Sequence, residues 1–262
     1  MTPALESFHK AKAAARQAVR LQPELGEGYA SLAHVRLHDW DWVALEGDFR
    51  QAVELDPGYA IAHYWYAEYL MAMGRTQEAV GRVEHGWELD PLNSVLNASV
   101  GMIRYLAHDY DGALVVLRRG LEIDPTHYVS YLRTGLVCLQ KNLLNEAIDA
   151  MRQAVTHSGG STEALAGLAQ AHAVMGDKPA MERIVKELGE RDDRYVSPYN
   201  IARVYGAIDD KQRALEWLER AYREHNPDLI ELTREPSFAG LRSDAKFREL
   251  VQRIGWRSGA AD

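Results

Sequence analysis

The sequence predicts an all-α protein built as a solenoid of antiparallel helix pairs, and two observations carry this prediction. The first is a strict internal period, since Leu/Ile-x-Pro tripeptides end successive segments and their prolines are 34 residues apart: Pro23, Pro57, Pro91 and Pro125. The same step continues to Gly159, Asp193 and Pro227, which are a helix breaker, a turn former and again a proline. The second observation is that each period divides into two amphipathic stretches with helical spacing of apolar residues. Periods of this length are typical of repeat architectures.

Residues 1–25 contain only the second-helix pattern, carried by Phe8, Ala11, Ala15 and Ala18 before Pro23. We therefore predict a partial N-terminal repeat whose first helix would lie upstream of Met1. A short capping helix is the alternative interpretation.

Residues 26–227 are predicted to form six helical hairpins. In the period from Ala60 to Asn93 the first stretch, AIAHYWYAEYLMAM, ends at Gly74, which can adopt the left-handed conformation that closes a helix. The second stretch, TQEAVGRVEHGWEL, ends at Asp90-Pro91, because proline cannot continue a helix. Small residues recur at matching places in neighbouring periods, which lets paired helices approach closely.

Residues 228–256 read as short capping helices, because the period stops after Pro227, Pro236 interrupts the pattern, and Ser243 is a plausible N-cap. The ends of a solenoid need such a cap to cover an apolar face. Residues 257–262 are predicted to be a frayed tail.

The repeating residues resemble the tetratricopeptide repeat family, whose pattern places aromatic, Leu and small residues on the first helix, then Ala, an apolar residue and Ala on the second, then Pro. The match is carried by these residues: Tyr29, Leu32, Ala33, Phe49, Ala52, Pro57, Ala79, Val83, Pro91, Val100, Gly101, Ala113, Leu117, Pro125, Ala147, Met151, Ala154, Ala214, Leu218, Ala221 and Pro227. The resemblance covers about residues 5–227. It implies a right-handed superhelix with the first helices lining a concave groove, and a role in protein–protein interaction without catalysis.

A narrower resemblance concerns the string WDWVALEGDFRQAVELDPGYAIAHYWYAEYLMAMGR, residues 195–222 and the ending PSFAGLRSDAKFRELVQRIGW. These segments are similar to the C-terminal repeat region of bacterial multidomain regulators with winged-helix, serine/threonine kinase or cyclase domains. This resemblance implies a regulatory or scaffolding module.

The middle of the implied groove is apolar and aromatic. Its predicted partner-binding residues are Tyr64, Glu68, Met71, Met102, Tyr105, Leu132, Leu136 and Leu139. All of these except Glu68 are expected to form one connected surface that is partly exposed in the unliganded protein. Apolar surfaces that contain Met suit a hydrophobic or amphipathic protein or peptide segment. Because no Lys or Arg occupies the inner places of this pattern, a clamp for a peptide carboxylate is not expected. The alternative is a groove that closes on itself or on its own C-terminal cap.

Composition excludes several other classes of partner. The net charge of −8 and pI of about 5.7 argue against nucleic acid, whose phosphates attract Lys and Arg. The sequence contains no apolar run of 18 residues, so no membrane span is predicted. A single cysteine, Cys138, excludes an internal disulfide. We expect a cytoplasmic location.

No phosphate-binding glycine loop or nucleophile elbow occurs, and we predict neither catalysis nor a cofactor. His34 and His38 are four residues apart on one predicted helix, which is acceptable spacing for metal ligands, but the pattern provides no third ligand. A metal-dependent enzyme using this pair is therefore a rival hypothesis. A second rival is a homo-oligomerisation module whose groove is filled by another copy, with self-association through the N-terminal edge. Trp40 and Trp42 are expected to clamp the two helices of the first full repeat.

Overall fold

The computed structural model describes residues 3–255, with side chains from Phe8 onward, and every regular element in this range is helical. The prediction of an all-α helical-repeat fold is confirmed. The tail 257–262 lies outside the described residues. The helices are α1 (Pro3–Leu21), α2 (Gly26–His38), α3 (Leu45–Leu55), α4 (Ala60–Ala72), α5 (Thr76–Leu89), α6 (Ser94–Leu106), α7 (Tyr110–Ile123), α8 (Tyr128–Gln140), α9 (Leu144–His157), α10 (Thr162–Val174), α11 (Lys178–Gly189), α12 (Pro198–Gly206), α13 (Lys211–Arg223), two 3₁₀ helices (Pro227–Glu231 and Pro236–Leu241) and α14 (Ala245–Ile254).

Local signals set the start and the turn of each hairpin. Several helices begin at a side chain that accepts a hydrogen bond from the backbone N–H three residues on, which satisfies a donor left free at a helix start: Asp109, Ser161, Asp177, Ser197 and Asp210. The turn inside each of the first five hairpins adopts a left-handed backbone at the same place of the 34-residue register, at Trp40, Gly74, His108, Asn142 and Gly176, and in the sixth hairpin it does so one position earlier, at Asp209. The repeat is therefore visible in the backbone as well as in the sequence.

Close approach of paired helices depends on residues without a bulky side chain. A Cβ atom added to Gly101 would lie 2.5 Å from Leu117, and one added to Gly135 would lie 2.7 Å from Met151. Each glycine thus lets the second helix of its pair rest directly on the first. Apolar side chains between the helix layers form a core that extends along the array.

The two ends of the array meet, so the solenoid is closed. Trp40 stacks on Tyr222 with ring centroids 5.5 Å apart, and the indole N–H of Trp42 donates to the carbonyl oxygen of Ile254 at 2.8 Å. The expectation that these tryptophans clamp their own hairpin is corrected, because their rings reach α13 and α14 instead. The first full repeat is thereby fastened to the last helices.

The chain after α13 turns inward instead of covering only the end of the array. We call residues 227–241, which contain both 3₁₀ helices, the inner segment. Its first 3₁₀ helix contacts α2 and α4, and its second contacts α12. The segment therefore occupies the concave side that the first helices of the hairpins line.

Candidate functional site

The concave groove exists at the predicted inner places, but the chain itself fills much of it. Ile230 of the inner segment is 4% exposed and lies in one buried cluster with Met71, Met102 and Tyr105. It also lines a narrow cavity with Tyr64 and the two methionines. The apolar groove thus already holds a short segment of peptide.

Most of the predicted groove residues are buried instead of partly exposed. The exposed fractions are 2% for Met71, 8% for Met102, 1% for Tyr105, 3% for Leu132, 2% for Leu136 and 6% for Leu139. Our expectation of an open surface at these positions is wrong, because the inner segment and the neighbouring repeats cover them. Tyr64 and Glu68 retain intermediate exposure.

A buried polar network fixes the second half of the inner segment to three repeats. The Tyr105 hydroxyl on α6 donates to Oε1 of Glu235 at 2.8 Å, and the Ser237 hydroxyl donates to the same oxygen at 2.7 Å. Gln170 on α10 donates to the Ser237 hydroxyl at 2.9 Å and accepts from Arg203 on α12 at 3.3 Å. Glu235 is fully buried, and its Oε2 lies 3.7 Å from Nε of Arg203. Burial together with the Glu235 carboxylate raises the pKa of Tyr105, so its hydroxyl stays a donor.

Beside the inner segment lies a cavity of about 260 Å³, which we call the central cavity. His34 lines it together with five of the predicted groove residues: Tyr64, Glu68, Met102, Leu132 and Leu136. Among the described lining residues, carboxylates outnumber guanidinium groups: Glu68, Glu163, Asp228 and Glu231 against Arg133 and Arg203. The cavity therefore favours a cation or a hydrogen-bond donor over an anion.

Burial shifts the ionisation of the groups around the central cavity. It raises the pKa of Glu68 to about 7 and that of Asp228 to about 6, and it raises the pKa of Glu231 as well. Burial lowers the pKa of His38 to about 4, and burial together with His38 lowers that of His34. Both imidazoles are therefore neutral at neutral pH.

Sequence reasoning gave a groove closed by its own C-terminal cap only as an alternative, because 3₁₀ turns carry no helical periodicity that would place the inner segment. The lining residues Arg133 and Arg203 were missed because each lies one position from the inner stripe. Glu68 was predicted for the groove but not as a neighbour of His34. The register could have revealed this pairing, since residues 34 and 68 occupy the same place in consecutive repeats.

Comparison with known proteins agrees with this architecture. A sequence model of the tetratricopeptide repeat family matches residues 49–81. Human tetratricopeptide repeat protein 13 is 26% identical over 125 residues, which is 48% of this chain and 14% of that protein. The chain spans less than a quarter of the length of the curated relatives it matches.

Solved structures show the same fold. A tetratricopeptide repeat protein from Parabacteroides merdae has a TM-score of 0.64 at 13% identity, with 94% of this chain and 92% of that chain covered. A human IFIT1 dimer with PPP-AAAA has a TM-score of 0.63 at 19% identity, with 97% and 66% covered. The match to the family model supports the tetratricopeptide repeat family, whose members act in general as non-catalytic protein-interaction scaffolds. No described helix is both long and apolar enough to cross a bilayer.

Proposed function

We propose that the protein is a non-catalytic scaffold or regulatory module that binds a hydrophobic or amphipathic partner segment in its concave groove. The observation that carries the proposal is the inner segment, which lies against the groove residues and supports a partner of the same chemistry. The inner segment has one apolar anchor, Ile230, and one carboxylate, Glu235, that pairs with Tyr105 and Arg203. A partner segment with the same two features would compete with residues 227–241.

This proposal keeps the predicted groove residues but changes how a partner reaches them. A buried anchor at the centre of an interface contributes more than the charges at its rim. Met71 and Met102 line a narrow cavity together with Ile230, and Tyr105 lies in the same buried cluster, so these residues supply that centre. Because the inner segment covers them, binding would be coupled to its release, which is a form of regulation within one chain.

A synthetic peptide of residues 226–242 tests the proposal by fluorescence anisotropy. Ile230→Asp in the full chain should loosen the inner segment and increase the affinity for the peptide at least about tenfold, since a charge cannot stay in the apolar cluster. Adding Tyr105→Ala to that variant should weaken its affinity for the peptide about thirtyfold. Glu122→Ala, on the exposed face of α7, is the matched control and should change nothing.

Failure of the Ile230→Asp protein to bind the peptide while it keeps its helical circular dichroism would reject the groove as the binding surface. Mass measurement in solution addresses the homo-oligomer alternative. A dimer that persists in Ile230→Asp and dissociates on N-terminal substitutions would favour self-association through the N-terminal edge.

A further inference from the structure

Three potential metal ligands converge at the edge of the central cavity. His34 and His38 lie one turn apart on α2, and their Nε2 atoms are 3.1 Å apart. Oε2 of Glu68, on the neighbouring helix α4, lies 3.7 Å from Nε2 of His34. The ligand atoms of all three side chains lie within 4.8 Å of one another. The donor set of two imidazoles and one carboxylate therefore comes from two repeats.

The spacing of these atoms suits a tetrahedral zinc ion. Zinc binds imidazole nitrogen at about 2.0–2.1 Å, which places two tetrahedral nitrogen ligands about 3.3 Å apart. The observed separation of the two Nε2 atoms is 3.1 Å. Two histidines and one carboxylate with an open fourth position is a donor set that zinc accepts in proteins.

Neighbouring groups hold each ligand in a suitable orientation. Nδ1 of His38 lies 3.3 Å from the carbonyl oxygen of Pro227, and when this nitrogen donates there the lone pair of Nε2 faces His34. The Tyr64 hydroxyl donates to Oε1 of Glu68 at 2.6 Å and leaves Oε2 toward the histidines. The ring of His34 stacks on Trp65 with centroids 4.2 Å apart. Such outer contacts are what orients the ligands of a metal site.

Contact between the two imidazoles leaves Oε2 of Glu68 without a hydrogen-bond partner. It is buried and accepts no hydrogen bond among the described residues. A buried carboxylate oxygen without a partner is costly. A hydrogen bond between the two neutral histidines would satisfy their Nε2 atoms but not this oxygen, whereas a cation between the three groups would satisfy all of them.

We propose that His34, His38 and Glu68 bind one zinc ion, with its fourth coordination position facing the central cavity. The excess of carboxylates around the cavity favours a cation there. The ion would join α2 to α4 and, through His38 and the Pro227 carbonyl, would support the inner segment. The proposal does not depend on which partner the groove binds.

Titration of Zn²⁺ into the chelator-treated full chain, in competition with a chromophoric chelator, tests this site. We expect one ion per chain and a loss of affinity of at least about 100-fold in His38→Ala. Glu68→Gln keeps the shape of the side chain and should bind about 10-fold to 100-fold more weakly. Co²⁺ in place of Zn²⁺ should give the intense visible absorption of four-coordinate cobalt, and this absorption should be weaker in Glu68→Gln.

His172→Ala is the matched control, because Nδ1 of His172 lies 3.1 Å from Asp177 in a histidine–carboxylate pair without a second histidine. It should leave the affinity for zinc unchanged. Circular dichroism identifies any variant that has lost its fold. If His38→Ala is such a variant, the zinc affinity of the isosteric Glu68→Gln tests the proposal. Equal zinc affinity in the wild type and in Glu68→Gln, or no zinc binding to the folded wild type, would overturn the proposal.

Discussion

The ion pair between Arg203 and Glu235 should be strongly coupled, and removal of either partner should destabilise the fold, because both side chains are buried. Nε of Arg203 lies 3.7 Å from Oε2 of Glu235, and the two side chains are 7% and 0% exposed. With an effective dielectric constant of about 20, charges at this distance attract by roughly 4–5 kcal/mol. Glu235→Gln preserves a hydrogen-bond acceptor for Tyr105 but leaves the guanidinium buried without its counter-charge. We expect the free energy of unfolding to fall by about 3 kcal/mol, within the range for breaking one side of a buried pair.

A double-mutant cycle isolates the interaction from the cost of each substitution. Arg203→Met combined with Glu235→Gln should be less destabilising than the sum of the single changes, with a coupling energy of about 2–3 kcal/mol. Urea unfolding followed by helical circular dichroism measures each free energy. The pair Lys178 and Glu182 on α11 is the control, since its Nζ to Oε1 distance is also 3.7 Å but its side chains are 66% and 52% exposed.

The exposed control pair should couple by only about 0.3–0.5 kcal/mol. A coupling for Arg203 and Glu235 no larger than this would refute the reasoning that burial makes the pair strong. Such a result would also mean that a groove ligand does not need the carboxylate that we assign to it.

Three further predictions address other parts of the fold, each by urea unfolding. Gly206→Ala should destabilise the fold by about 1–3 kcal/mol, because the added Cβ would lie 2.6 Å from the backbone oxygen of Ser237. The control Gly81→Ala, whose Cβ would have no neighbour within 4 Å, should stabilise the fold by up to about 1 kcal/mol. Equal effects of the two substitutions would contradict this prediction. Asp228→Asn should raise the free energy of unfolding by about 1–2 kcal/mol at about pH 8 and leave it unchanged at about pH 4. Burial raises the pKa of the Asp228 carboxyl in the folded state to about 6, so the wild type loses stability as the pH rises through that value. A difference between variant and wild type that stays constant across pH would refute this prediction. Trp42→Phe removes the hydrogen bond to the last helix and should lower the free energy of unfolding by about 1 kcal/mol while increasing amide hydrogen exchange in α14. Unchanged exchange in α14 would show that this contact does not hold the two ends of the array together.

The helix pairs could be predicted from the sequence because their signals are local. Proline and glycine end the helices by backbone sterics, as at Gly74 and Pro91, and small residues such as Gly101 mark the close contacts. These effects act within one period, so one period predicts the next.

The closure of the array could not be predicted in this way. Trp42 and Ile254 are far apart in sequence and meet only through the summed rotation of all the repeats. Trp40 looks like a local clamp in sequence, yet it stacks on Tyr222. The register predicts which residues lie on the first helices of the hairpins, but the occupancy of the concave side depends on where an aperiodic segment folds back. Such long-range outcomes have no signal in a short window.

The contact between the two ends has a consequence for how such a protein can evolve. An open array of repeats can gain or lose a unit, because each unit contacts only its neighbours. Here a duplication or deletion of 34 residues would rotate α14 away from Trp42 and separate Ile230 from its methionines. The number of repeats is thereby fixed by geometry, and descendants of this gene would be expected to diverge by substitution within repeats while their repeat count stays constant.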